Sequence, residues 1–116
     1  MSREAIDRIK KRRRSLLKSE LARVKEELIG LGAKRIVLFG SAARGEMGLF
    51  SDVDLLVVMD SKKPFLQRIT EVYKKIQPAG LDILVYTPEE FALLKENSPF
   101  IRKALKEGEL LYEKAP

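Results

Sequence analysis

From Arg3 to Ile29 the apolar residues Ile6, Ile9, Leu16, Leu17, Leu21, Val24 and Leu28 recur in steps of three and four. That spacing puts them on one side of a helix. Lys10 to Arg14, five consecutive basic residues, interrupt the stripe, so the half from Leu16 to Ile29 is expected to pack on a core and the first half to project from it. Gly30 and Gly32 stop this helix, because glycine readily takes the left-handed conformation of a C-terminal cap. Arg35 to Phe39 is a short β-branched and aromatic run, and Val53 to Met59 is almost wholly apolar, as strands buried on both faces are. Ser41 to Arg44, between them, is expected to form one helical turn.

Pro64 opens a second helix reaching Ile76, with Phe65, Ile69, Val72 and Ile76 inward, and Pro78 and Gly80 end it. Leu81 to Tyr86 predicts a third strand. Thr87-Pro88-Glu89-Glu90 is a helix start, with Thr as cap, Pro at the first position and Glu returning to the cap. Phe91, Leu93 and Leu94 give that helix its apolar side. Ser98-Pro99 starts a last helix to Glu107, and Gly108 releases the chain into a strand over Glu109 to Tyr112. The order α, β, turn, β, α, β, α, α, β predicts an α+β (α/β) fold, with a small mixed sheet of three to four strands flanked by helices and a long N-terminal helix.

Composition narrows the chemistry. A chain of 116 residues is expected to be one domain over 1–116, with 1–15 a basic helical extension and no second domain to hold an acceptor. It has no Cys and no His, so any metal must be held by carboxylates, carbonyls and water, which favours Mg2+ or Mn2+ over zinc. No apolar run is long enough for a membrane span and the N-terminus is polar, so a cytoplasmic location is expected. The net charge is +6, and residues 1–30 hold ten Lys and Arg against five Asp and Glu. Five adjacent basic residues at 100° steps surround a helix, so a solvated face is the first reading of Lys10 to Arg14. Contact with an acidic partner or an RNA backbone is the other, and no interleaved aromatic residue supports base stacking.

Two acids carry the chemistry. Asp52 and Asp54, two apart at the start of a strand, point to the same face, where carboxylates repel unless a cation lies between them. Alone, Asp-x-Asp is often a turn and a surface acid. Here Leu55 to Val58 follow, and an acid at the mouth of a buried strand needs a partner. Asp82 is the second residue of the third strand. By itself it is an ordinary edge acid; if that strand lies beside the second, it joins a three-carboxylate cluster able to hold two Mg2+ about 3.5 to 4 Å apart. Gly40-Ser41 alone is a strand-ending turn, but ahead of a helical turn its N–H groups can form an anion nest. Glu46 and Met47 stand where a P-loop requires Lys and Ser or Thr, so that motif is excluded.

Leu38-Phe-Gly-Ser-Ala-Ala-Arg-Gly-Glu46 and Ser51-Asp-Val-Asp-Leu-Leu-Val57 resemble the DNA polymerase β-like nucleotidyltransferase superfamily. Within it they are most similar to the MNT-type minimal nucleotidyltransferases, antitoxin partners of HEPN-domain toxins. The resemblance implies that Gly40 and Ser41 bind the β and γ phosphates of a nucleotide, that Asp52 and Asp54 ligate both metals, and that Asp82 ligates the catalytic one and helps deprotonate the acceptor. Arg44 would contact a phosphate or fix the turn through a salt bridge. The family usually has Arg or Tyr where this chain has Ala42, a departure that bears on one substrate contact and leaves the metal site untouched. The implied activity is transfer of AMP from ATP to a hydroxyl, with a tyrosine of a HEPN toxin as acceptor. The alternatives are a binding-only antitoxin without turnover, and a transferase acting on a small molecule or nucleic acid.

Overall fold

The computed structural model describes residues 1–40, 43 and 53–116. Helix α1 (Arg3–Gly30) leads into β1 (Ala33–Phe39), followed by β2 (Val53–Met59), α2 (Phe65–Ile76), β3 (Leu81–Tyr86), α3 (Pro88–Asn97), α4 (Pro99–Glu107) and β4 (Glu109–Glu113). The four strands form one mixed sheet in the order β3-β2-β1-β4. β1 pairs antiparallel with β2 and β4, while β2 and β3 run parallel across the α2 crossover. The expected fold class and the expected order of helices and strands are those observed.

Alternation along the strands divides the core into two layers. Ile36, Leu38, Leu55, Val57, Ile83 and Val85 face α1 and α2, against Leu17, Val24, Leu28, Val72 and Ile76. Val37, Phe39, Leu56 and Val58 face α3 and α4, against Phe91, Ile101 and Ala104. β1 and β2 are buried on both faces because both layers are covered.

Element ends follow their capping chemistry. The α3 start forms the expected reciprocal box: Glu90 N–H donates to Thr87 Oγ1, and Thr87 N–H donates to Glu90 Oε1. At α1 the expected glycine cap is displaced. Gly30 is the last helical residue, Leu31 caps it in a right-handed conformation, and Gly32 at φ +104° makes the turn into β1. β1 starts two residues before the expected Arg35, and α2 ends on Gln77 at φ +50°. Two side chains expected inside are exposed, and one charged side chain not expected there is buried. Leu16 and Leu93 are 61% and 63% exposed, whereas Arg68 of α2 is buried among apolar neighbours. Arg68 is held there by donating to Val85 O, Lys63 O and Glu90. Its guanidinium, with Thr87 N–H, keeps the Glu90 carboxyl below its ordinary range.

Among the described residues no helix is long and apolar enough to cross a membrane.

Candidate functional site

The site lies where β1 ends and β2 and β3 begin. β2 and β3 are parallel and in register, so Asp54 stands directly opposite Asp82. Adjacent strands lie about 4.8 Å apart, and directly paired residues point to the same side. That side is the α3 and α4 face, since Asp54 alternates with Leu55 toward Leu56 and Asp82 with Ile83 toward Leu84. Asp82 is exposed because β3 is an edge strand, and Asp54 is half-buried between β1 and β3.

β1 brings the third component. Phe39 pairs with Asp54, and the next residue, Gly40, turns away at φ +78°. A Cβ built on Gly40 would stand 2.5 Å from Asp54 Oδ2. Both the left-handed backbone and the close carboxylate therefore require glycine. This close approach ties the Gly40 backbone to the acid of β2, a proximity that sequence separation conceals. Phe100, at the start of α4, meets Phe39 edge-on at 5.8 Å between ring centroids and is 56% exposed, so the carboxylate face carries an aromatic surface beside it. Phe100 stands alone in the helix start, so no periodic pattern in the sequence marks it.

Of the expected site residues, the structure thus brings together Gly40, Asp54 and Asp82. Ser41, Arg44 and Asp52 lie outside the described residues, as does the expected helical turn, except for Ala43, which sits in a turn and packs on the core. Among the described residues no group of three metal-holding side chains forms. The two paired carboxylates nevertheless suit a hard divalent cation: they are all-oxygen donors, side by side, in a chain without Cys or His.

The approach to Asp82 is fixed from behind the sheet. Glu20 of α1 accepts from Ala79 N–H and from Arg23, and Arg23 donates to Ile76 O. These bonds hold the turn that delivers β3. The Arg23 guanidinium, with the Ala79 N–H, lowers the Glu20 carboxyl to about 2. The signal for this clamp was the Glu20, Arg23, Glu27 spacing, which reads from sequence as an ordinary surface series.

Comparison with known proteins agrees with this geometry. Residues 6–111 match the family model described as nucleotidyltransferase domain. The chain is 38% identical over 80 residues, 68% of its length, to the Methanocaldococcus jannaschii protein named "Putative protein adenylyltransferase MJ0604", covering 78% of that protein. A crystal structure of a "putative nucleotidyltransferase" from Sulfolobus solfataricus shares the fold at TM-score 0.56 and 20% identity, over 84% of this chain and 86% of that one. A crystal structure of a toxin-antitoxin with AMP-PNP aligns at TM-score 0.51 and 16% identity, over 78% of this chain and 72% of that one. A paired carboxylate rim beside a glycine turn, on this sheet and with this family match, places the chain in the nucleotidyltransferase family.

Proposed function

We propose that this nucleotidyltransferase transfers AMP from ATP to a hydroxyl on another protein, a tyrosine of a HEPN-domain toxin, and so acts as an antitoxin. The observation that supports this reading is the register pairing of Asp54 with Asp82 beside the Gly40 backbone, which sets two carboxylates side by side at the mouths of parallel strands. Support for AMP and a protein acceptor comes from the name of the 38% identical relative, and support for the toxin setting from the toxin-antitoxin neighbour with AMP-PNP.

In the proposed reaction the acceptor oxygen attacks the α-phosphorus in line. One O–P bond forms, the bond from that phosphorus to the bridging oxygen breaks, and pyrophosphate leaves. Asp82, exposed at the sheet edge, takes the hydroxyl proton. Gly40 and Ser41 offer backbone N–H groups to the β and γ phosphates, and Arg44 adds a positive charge. Asp52, Asp54 and Asp82 would hold two Mg2+ or Mn2+ ions, whose chemistry there is to neutralise charge on the phosphates. The protein otherwise positions the reactants and excludes competing geometry.

The test is incubation with α-labelled ATP, Mg2+ and a co-expressed HEPN toxin, with the label located by mass spectrometry. Label is expected on a toxin tyrosine, and Asp54→Asn should cut transfer by at least about a hundredfold without lowering the melting temperature. Transfer at the wild-type rate in Asp54→Asn, or a neutralised toxin that carries no label, would contradict the reading.

A further inference from the structure

Helix α1 has two unlike halves. Its first buried residue is Leu17; the turns from Arg3 to Leu16 contain none. Leu17 packs at Gly80, its Cδ2 lying 3.1 Å from where a Gly80 Cβ would be, so the residues before it extend past the end of the sheet that carries Asp82. At 1.5 Å per residue this projection is roughly 20 Å long. At its foot, reaching Gly80, is a groove of about 690 Å³ where Ile9, Leu16 and Leu17 lie with Arg12, Arg13 and Glu20, the last already accepting from Arg23 and Ala79 N–H. Ile9 and Leu16 are 42% and 61% exposed.

Such a helix is poorly self-sufficient. Residues 1–16 carry seven Lys and Arg against two Asp and Glu. Arg8 and Arg12, Lys10 and Arg14, and Lys11 and Arg14 repel at three- and four-residue spacing. A helix of this length without tertiary packing is marginal in water. A complementary surface would supply apolar cover for Ile9 and Leu16 and negative charge for Arg8 and Arg12. A second copy of the same segment brings the same excess of positive charge and is disfavoured. Nucleic acid offers charge but little apolar surface, and residues 1–38 contain no aromatic side chain to stack on bases.

We propose that the projecting half of α1 and its groove form the docking surface for an acidic amphipathic helix of the acceptor protein. This rests on the proposal that the acceptor is another protein. The groove reaches Gly80 in the turn that delivers β3, two residues before Asp82, so a partner seated in it lies behind the sheet edge whose other face carries the carboxylate assigned to receive the hydroxyl proton.

The probe is a fluorescent synthetic helix, Glu-rich, with Leu at i, i+3, i+4 and i+7, titrated into the full chain without nucleotide. A scrambled peptide of equal composition should bind at least about tenfold more weakly. Leu16→Ser and Arg12→Gln should each weaken the amphipathic peptide several-fold while melting as wild type does, since both side chains are exposed. Asp54→Asn should bind it unchanged, which separates failure here from failure of the transfer chemistry. Equal binding of the scrambled peptide or unchanged binding in both surface variants would overturn the proposal. So would tighter binding of a single-stranded RNA, or a dimer in sedimentation that Leu16→Ser dissolves.

Discussion

The two faces of the sheet are built from the same strands and covered to different extents. On one, α1 and α2 lie over the strands and enclose residues from Leu17 to Val85. On the other, the shorter α3 and α4 cover Val37, Phe39, Leu56 and Val58, and Asp54 and Asp82 stand on that side. The difference follows from alternation. In β2 and β3 the residue before each apolar inward position is free to be polar where a helix does not reach it. Burial on the first face fixes the register that pairs the acids on the second, since a slip by one residue would turn every side chain over. The first face therefore supports the register, and the second presents the two acids.

That division can be broken from either side. The largest expected effect is on stability: Leu28→Ala, at a fully buried position of the first face, should cost about 2 to 5 kcal/mol, measured by urea unfolding. Transfer by the remaining folded protein should be unchanged, and a proportionate fall in its turnover would erase the distinction between the faces. Gly40→Ala should do the reverse. A left-handed alanine costs about 1 to 3 kcal/mol, and its Cβ must displace the Asp54 carboxylate, so transfer should fall by more than the stability loss explains. Steady-state rates beside melting curves decide this.

The smallest effect lies at the clamp linking the faces. Glu20 is lowered from 4.5 to about 2, so the stability it contributes is fully present above pH 4.5 and is lost as pH falls through about 2. Glu20→Gln should unfold more easily at neutral pH and show a shallower acid-side decline between those values. Parallel curves for variant and wild type would remove Glu20 from the account.

How far the sequence revealed this arrangement depends on which period governs each residue. Asp82 was legible because Leu81, Ile83 and Val85 alternate around it, and period two fixes its side whatever the neighbours. Its pairing with Asp54 needed only that β2 and β3 be adjacent, as a short strand, helix, strand unit makes them. Hydrophobicity alone puts Leu16 and Leu93 inside, and their angle around the helix puts them outside. Leu17, Val24 and Leu28 are seven and four apart, which leaves Leu16 a 100° step off their line, and Leu93 lies 200° around from Phe91. Arg68 escaped because a charge within an apolar stripe reads as an interruption. Its burial depends on carbonyls of Lys63 and Val85 and on Glu90, whose arrival no local pattern announces. The approach of Gly40 to Asp54 is of the same kind, a backbone turn fitted to a side chain from the next strand.

The central claim is that Asp54 and Asp82 act together on a metal-bound nucleotide. Calorimetric titration of AMP-PNP with and without Mn2+ tests it most directly, because it requires neither acceptor nor turnover. The account predicts that Mn2+ tightens AMP-PNP binding in the wild-type protein and that Asp54→Asn and Asp82→Asn each largely abolish this gain. The same Mn2+ dependence in both variants as in wild type would contradict it.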